Sequence, residues 1–217
     1  MRILAFSDLH RDAAKAEAIV NESGGADVVV GAGDFASCGL GHEDTLSILR
    51  RMTVPFVLVP GNHDDLGELF AACADWPLAH LLHGQSAVIG GVPFFGIGLG
   101  SGVIDPAPWN MVLDEAEAAQ LLTLCPARAV LVSHSPPYGI ADQQKDGRHA
   151  GSVALRDAIG QHQPRITICG HVHNAWGPKR NDRADAGPQH WSEAEMVHCV
   201  RRACQLPALC KNATGAG

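Results

Sequence analysis

Five short apolar runs punctuate the chain: Ile3-Leu4-Ala5-Phe6, Val28-Val29-Val30, Phe56-Val57-Leu58-Val59, Val130-Leu131-Val132 and Ile166-Thr167-Ile168. Their length and β-branched content are those of buried strands. Between them, the stretches 12–22, 43–51, 66–74, 115–124 and 152–159 read as helices. Two of these carry start signals, Asp114 ahead of Glu115-Ala116-Glu117 and Ser152 ahead of Val153-Ala154-Leu155. Strand and helix alternate, which predicts an α/β domain with helices covering a largely parallel sheet. The segment 86–99 departs from this, because Gly90-Gly91 splits it into two apolar runs and predicts a hairpin. Two long loops follow, one containing Pro106, Pro108 and Trp109, the other running over 136–151. Loops of this kind beside strand ends are where substrate-binding groups tend to sit.

Each of the five runs is followed by residues that bind metals: Asp8-Leu9-His10, Gly33-Asp34, Gly61-Asn62-His63-Asp64, Ser133-His134 and Gly170-His171-Val172-His173. Adjacent strand ends would bring these clusters along one edge of a sheet. Asp, Asn and His are the oxygen and imidazole donors wanted by divalent ions that act on phosphate esters. Asp8 and His10 stand two apart, as do His171 and His173, so each pair leaves one face of a continuing strand or converges at the turn after it. Singly, the clusters have plainer readings. Gly-Asp is a turn signal, Asn62-His63-Asp64 can cap a helix beginning near Asp65, and His134 can be a loop histidine. Their recurrence in order, each after a strand, favours a shared metal site.

The composition sets few limits beyond this. A chain of 217 residues with 46% hydrophobic and 18% charged residues is enough for one domain with a full core, and excludes general disorder. A formal charge of −7 and a pI near 5.9 argue against a broad basic surface for nucleic acid. No segment approaches the roughly 18 consecutive apolar residues of a membrane span. The first strand begins at once, which leaves no room for a cleaved signal peptide. Seven cysteines without a CxxC pair point to neither a zinc knuckle nor a disulfide framework, so a cytoplasmic location is expected.

Taken together, Asp-x-His, Gly-Asp, Gly-Asn-His-Asp, a lone His and Gly-His-x-His resemble the block pattern of the calcineurin-like metallophosphoesterase superfamily, over residues 1–177. The likeness is to its small bacterial phosphoesterases, including those grouped with class III cyclic-nucleotide phosphodiesterases. It implies a sandwich of two mixed β-sheets flanked by helices, with a binuclear metal site at strand ends. By the same resemblance Asp8, His10 and His173 hold one divalent ion, Asn62, His134 and His171 hold a second, and Asp34 bridges them. The metals would be Mn, Fe, Zn or a mixture. A metal-bridged hydroxide would attack the phosphorus of a small phosphodiester or monoester, a diester being preferred because the chain is small and lacks obvious peptide-docking insertions. His63 would serve the leaving oxygen, with Asp64 orienting it and raising its pKa.

Arg11 follows Asp-x-His where many relatives have glycine. Its guanidinium can grip a substrate phosphate, or pair with Asp12 or Asp34. His42, Arg148 and His149 lie in loops that can line a pocket, and read more simply as surface residues. The competing functional class is a non-catalytic, protein-binding scaffold on the same fold. Scaffold versions tend to lose the leaving-group histidine or ligands, and this chain keeps both.

Residues 178–217 form an atypical tail, expected to be poorly packed or partly helical, where relatives return through further strands and an Asn-x-Gly turn. Ser192 and Glu195 match a capping box, with Met196, Val200, Ala203 and Cys204 on one helical face. Shifted by one nucleotide, the codons of 181–197 can encode Ala-Thr-Ile-Gly-Arg-Thr-Pro-Val-His-Asn-Ile-Gly-Pro, three further residues and Trp-Phe, close to the missing hairpin. Met196 followed by Val197 forces Trp in that frame, and Trp191 followed by Ser192 forces Gly. The tail is therefore read as the product of a frameshift after Gly177, which would leave the sheet edge near His171 and His173 without neighbours. The coding DNA tests this: an open alternate frame carrying the strand pattern is the expected result, and an early stop there refutes it.

Overall fold

All five apolar runs are strands, and two sheets share them. The computed structural model describes residues 1–102 and 107–173, together with the backbones of strands at 177–179, 195–198 and 202–205. The first half of the chain gives β1 (Arg2–Phe6), α1 (Ala13–Ser23), β2 (Val28–Ala32), α2 (Glu43–Leu49), β3 (Phe56–Val59), α3 (Leu66–Cys73) and β4 (Ala79–Leu81). The hairpin β5 (Gln85–Ile89) and β6 (Val92–Ile97) follows, then α4 (Glu115–Leu122), β7 (Val130–Ser133), α5 (Val153–His162) and β8 (Ile166–Cys169). Three further strands are β9 (Gly177–Lys179), β10 (Glu195–His198) and β11 (Arg202–Gln205).

One sheet has the order β11-β1-β2-β3-β4, parallel except for β11. The other has the order β5-β6-β7-β8-β10-β9, with antiparallel pairs at its two ends. Alternation along each strand decides the layers. Ile3, Ala5, Val28, Val30, Val57 and Val59 face Phe94, Val130, Val132, Ile166 and Ile168 between the sheets. The intervening Leu4, Phe6, Val29, Phe56 and Leu58 pack under α1 to α3. Phe95, Leu131 and Cys169 pack with Leu122, Leu155 and Ile159 of α4 and α5. The result is a sandwich of two mixed sheets with helices on both outer faces. Four helices are fixed at their starts by Asp12, Asp65, Asp114 and Ser152, each accepting from the backbone N–H three residues on, a cap worth about 1 kcal/mol.

The clusters therefore do not line one edge of one sheet. β1, β2 and β3 end on one sheet and β7 and β8 on the other, so the site forms where two sheets meet. The helix predicted from Ser192 is also corrected, since Glu195–His198 and Arg202–Gln205 are strands. β10 pairs parallel with β8 and β11 antiparallel with β1, so neither edge is left without a neighbour. The physical reason is that a sheet edge offers main-chain donors and acceptors that any extended backbone can satisfy, whereas a capping box is a local preference of about 1 kcal/mol. The remainder of the tail, Ser192 included, lies outside the described residues, as does Pro106.

Candidate metal centre

The strand exits are laced together before any side chain is considered. Asp8 N–H donates to the Gly33 carbonyl at 3.0 Å, His10 N–H to that of Asp34 at 2.9 Å, and Gly170 N–H to that of His134 at 2.9 Å. This joins the exits of β1 and β2, and of β7 and β8. Gly33 has φ +89°, and a Cβ there would lie 2.5 Å from His134 Nδ1 and 2.7 Å from the Gly61 backbone. The glycine of the Gly-Asp cluster is thus what lets the exits of β2, β3 and β7 converge. Four ligand-type residues, Asp8, His10, Asp34 and His171, have positive φ values of 46–72°. Such a backbone costs on the order of 1–3 kcal/mol per residue and persists where the surroundings impose it, as they do at functional sites.

Two donor groups result. Asp8, His10 and His173 bring one ligand atom each within 4.8 Å of one another, with His173 Nε2 3.3 Å from Asp8 Oδ1. On the other side, Asn62 Oδ1 lies 2.9 Å from both His134 Nε2 and His171 Nδ1. Asp34 stands between them: its Oδ2 is 3.5 Å from His10 Nε2 and 3.5 Å from His134 Nε2. Its other oxygen accepts the His63 backbone N–H at 2.8 Å, which fixes the carboxylate plane. His134 Nδ1 faces the Ala32 carbonyl at 2.8 Å, and a carbonyl only accepts, so that nitrogen holds a proton and Nε2 is the atom turned to the cluster. His134 is wholly buried while His173 is 50% exposed, so the centre opens to solvent on the His173 side.

The electrostatics are those of a site built for cations. Burial, with Asp64 and Asp8 nearby, pushes the Asp34 carboxyl up to about 7. Asp8 is also penalised by burial, but hydrogen bonds from His173 and Ser7 and the charge of His134 hold it below the ordinary carboxylate range. His171 falls to about 3 through burial beside His134. His134 rises despite burial because Asp34 and Asp8 face it. Two buried carboxylates, a carboxamide oxygen and several imidazoles are a donor set that fits Mn, Fe or Zn. It is also a poor arrangement without positive charge between the carboxylates.

The structure brings all seven expected ligands together and revises the roles of their neighbours. Asp64 does not orient the His63 ring. It is fully buried and accepts the backbone N–H groups of Asp34, Gly61 and Ala36, each at 2.8 Å, which clamps two strand exits together. It is not the helix cap either, since Asp65 performs that function. The His63 ring is held instead by the Cys38 backbone N–H, 2.9 Å from Nδ1, and burial near His10 and His134 lowers its pKa to about 4 rather than raising it. Nδ1 is an acceptor there, so the neutral ring carries its proton on Nε2.

Arg11 pairs with Asp44 at 2.8 Å, a partner in α2 that reasoning from near neighbours did not single out. His42 lies by Glu68, and Arg148 by Asp146. His149 Nδ1 is 2.6 Å from the buried Asp142, which also accepts from Gly139 and Gly151. This pair staples the 136–151 loop. Two contacts were not legible in the sequence. The Trp109 ring lies 4.3 Å from that of His63, and Asn110 Oδ1 accepts from Asn62 Nδ2 at 2.7 Å. Only their place in a long loop ahead of α4 marked them.

The chain belongs to the calcineurin-like phosphoesterases, whose sequence profile matches residues 1–175. It is 27% identical over 154 residues to a probable glycerophosphodiester phosphodiesterase, GpdQ, of Arcobacter nitrofigilis, covering 68% of this chain and 56% of that protein. A UPF0046 protein of Caenorhabditis elegans is also 27% identical, over 70% of this chain and 47% of its own length. The chain thus spans about half the length of the curated relatives it matches. Among solved structures, TT1561 of Thermus thermophilus superposes with a TM-score of 0.68 at 20% identity, covering 91% of this chain and 88% of that one. A dimetal phosphatase from Danio rerio gives 0.58 at 13% identity, covering 91% and 86%. These likenesses establish the fold. Among the described residues no helix is long and apolar enough to cross a membrane.

Proposed function

We propose that this chain hydrolyses small phosphodiesters at a two-metal centre. The observation that carries the reading is the position of Asp34 Oδ2, 3.5 Å from an imidazole nitrogen of each donor group. A carboxylate oxygen there is within reach of both groups, the position a shared ligand of two ions requires. Asp8, His10 and His173 would hold one ion and Asn62, His134 and His171 the other, with Asp34 shared between the two groups. Bound there, divalent ions supply Lewis-acid polarisation of the phosphoryl oxygens and an activated water. The protein residues do the rest. His63 keeps its Nδ1 on the Cys38 N–H and offers its Nε2–H as a hydrogen-bond donor to the departing oxygen, stabilising the charge that gathers there while solvent supplies the proton. Asp64 holds the Asp34 and Gly61 backbones so that the bridge and the His63 loop keep their spacing.

A diester is favoured over a monoester on two grounds. One matched relative carries the name of a probable glycerophosphodiester phosphodiesterase. Arg11, next in sequence to His10, has its Nε paired with Asp44, which partly answers its charge before the second negative charge of a monoester could draw on it. The test is turnover of bis(p-nitrophenyl) phosphate against p-nitrophenyl phosphate by the Mn²⁺-loaded chain. We expect kcat/KM for the diester to be higher by ~10-fold or more, a margin of about 1.4 kcal/mol at the transition state. A monoester preference overturns the substrate assignment, and hydrolysis of neither ester favours the scaffold alternative.

A further inference from the structure

Asn62 differs from the other proposed ligands in having two ends of nearly equal size, only one of which can bind a cation. The carbonyl oxygen is a donor to a metal, whereas the amide NH₂ pointed the same way repels it. Something must select the orientation. On the inner side Asn62 Oδ1 sits 2.9 Å from both His134 Nε2 and His171 Nδ1. On the outer side its Nδ2 donates to Asn110 Oδ1 at 2.7 Å. Resting on the ligand assignment above, we infer that Asn110 is a positioning residue: it takes the Asn62 amide N–H and so turns the Asn62 carbonyl oxygen toward His134 and His171.

Asn110 is well placed for this because its own backbone is fixed. Asn110 N–H donates to the Ala107 carbonyl at 2.9 Å, and Met111 N–H donates back to the Asn62 carbonyl at 2.9 Å. Gly100 N–H bonds to the Met111 carbonyl at 3.0 Å and Leu113 N–H to that of Gly100 at 2.7 Å. Leu113 itself is buried in the core beneath α4. The segment from Ala107 to Leu113 is thus tied to the His63 loop at one point and to the end of β6 at another. The same segment lays Trp109 against the His63 ring, 4.3 Å between centroids with 35° between planes. One short stretch of chain therefore supports two adjacent residues of the Gly-Asn-His-Asp cluster.

The inference is tested with Asn110→Leu, which keeps the shape and removes the acceptor, beside Asn110→Asp and Asn110→Ser, which keep an acceptor with and without charge. Mn²⁺ affinity and metal per chain are measured by titration of the metal-free protein, and thermal unfolding in chelator checks that each variant is folded. Loss of an outer partner of this kind lowers metal affinity ~10–100-fold. We expect that loss in Asn110→Leu for one of the two ions, and near-parent affinity in Asn110→Asp and Asn110→Ser. Parent-like binding by Asn110→Leu overturns the inference. So does a loss shared by Leu and Ser but not Asp, which would trace the effect to charge. If Asn110→Leu does not fold, the Ser and Asp variants decide the matter by the same titration, and affinity falling in Ser overturns it. Asn62→Ala separates the two levels of the argument: if it binds metal like the parent, the ligand assignment fails and this inference with it. If Asn62→Ala loses metal while Asn110→Leu does not, only the role of Asn110 is refuted.

Discussion

Asp34→Asn abolishes retention of a metal pair and lowers phosphodiester turnover by at least ~10³-fold, while making the metal-free chain more stable at alkaline pH. The first half follows from geometry. Asp34 Oδ2 is the atom that serves both donor groups, and its other oxygen is already held by the His63 N–H. A carboxamide supplies one neutral oxygen where a shared anionic one is needed. Losing several kcal/mol of charge stabilisation at the transition state corresponds to three or more decades in rate. The second half follows from burial. In the metal-free chain the Asp34 carboxyl is pushed up to about 7 from its ordinary 3.8, by burial and by Asp64 and Asp8. Because the folded-state pKa is above the unfolded one, the folded chain binds more protons between these values, and its stability falls as pH rises toward 7. Above that, the cost of the buried anion is fully present. Asparagine removes it, so unfolding in chelator at pH 8 should occur at a higher temperature for the variant than for the parent. Metal analysis, turnover and that unfolding temperature are the three readouts. An Asp34→Asn protein that retains two ions and full activity rules out the bridge, and one less stable than the parent in chelator rules out the electrostatic account.

That trade between stability and chemistry explains which parts of the protein were legible in its sequence. The apolar runs announce β1, β2, β3, β7 and β8 because strands buried on both faces must be continuously apolar. The same demand makes the polar residues at their exits conspicuous, so the candidate ligands could be singled out without knowing the pairing. What could not be read was anything requiring the pairing itself. β4, only Ala79-His80-Leu81, is a strand because Phe56 N–H bonds to the Leu78 carbonyl beside β3, and no periodicity fits in three residues. Asp64 looked like a partner for His63 because it is next to it in sequence. In space it serves the backbones of Asp34 and Ala36, 30 and 28 residues away. Asn110 and Trp109 meet the site from a loop that carries no pattern, and their contacts span 48 and 46 residues respectively. Local pattern thus marks which residues carry ligand chemistry, and tertiary contact decides which residues hold them in place.

His63→Ala should separate catalysis from metal binding. The variant is expected to retain the parent's metal content and to lose ~10²–10³-fold in diester turnover, the range for removing one preorganised hydrogen-bond donor to a developing oxyanion. The reasoning begins with what His63 does not do: its backbone N–H fixes Asp34, a contact that alanine preserves, and its ring Nδ1 is occupied by the Cys38 N–H. The metal-binding frame is therefore left in place when the ring is removed. What is lost is the Nε2–H donor, held in place by a ring packed between His10 and Trp109 at centroid distances of 4.7 and 4.3 Å. The loss must depend on the leaving group. A leaving alkoxide gathers more charge than p-nitrophenolate and depends more on a hydrogen-bond donor, so the defect should be large for an alkyl diester and much smaller for bis(p-nitrophenyl) phosphate. Equal defects on both esters would point to ground-state positioning rather than stabilisation of the leaving oxygen. A His63→Ala chain that loses its metal would instead make the ring a ligand, in keeping with its place near His10 and Asp34.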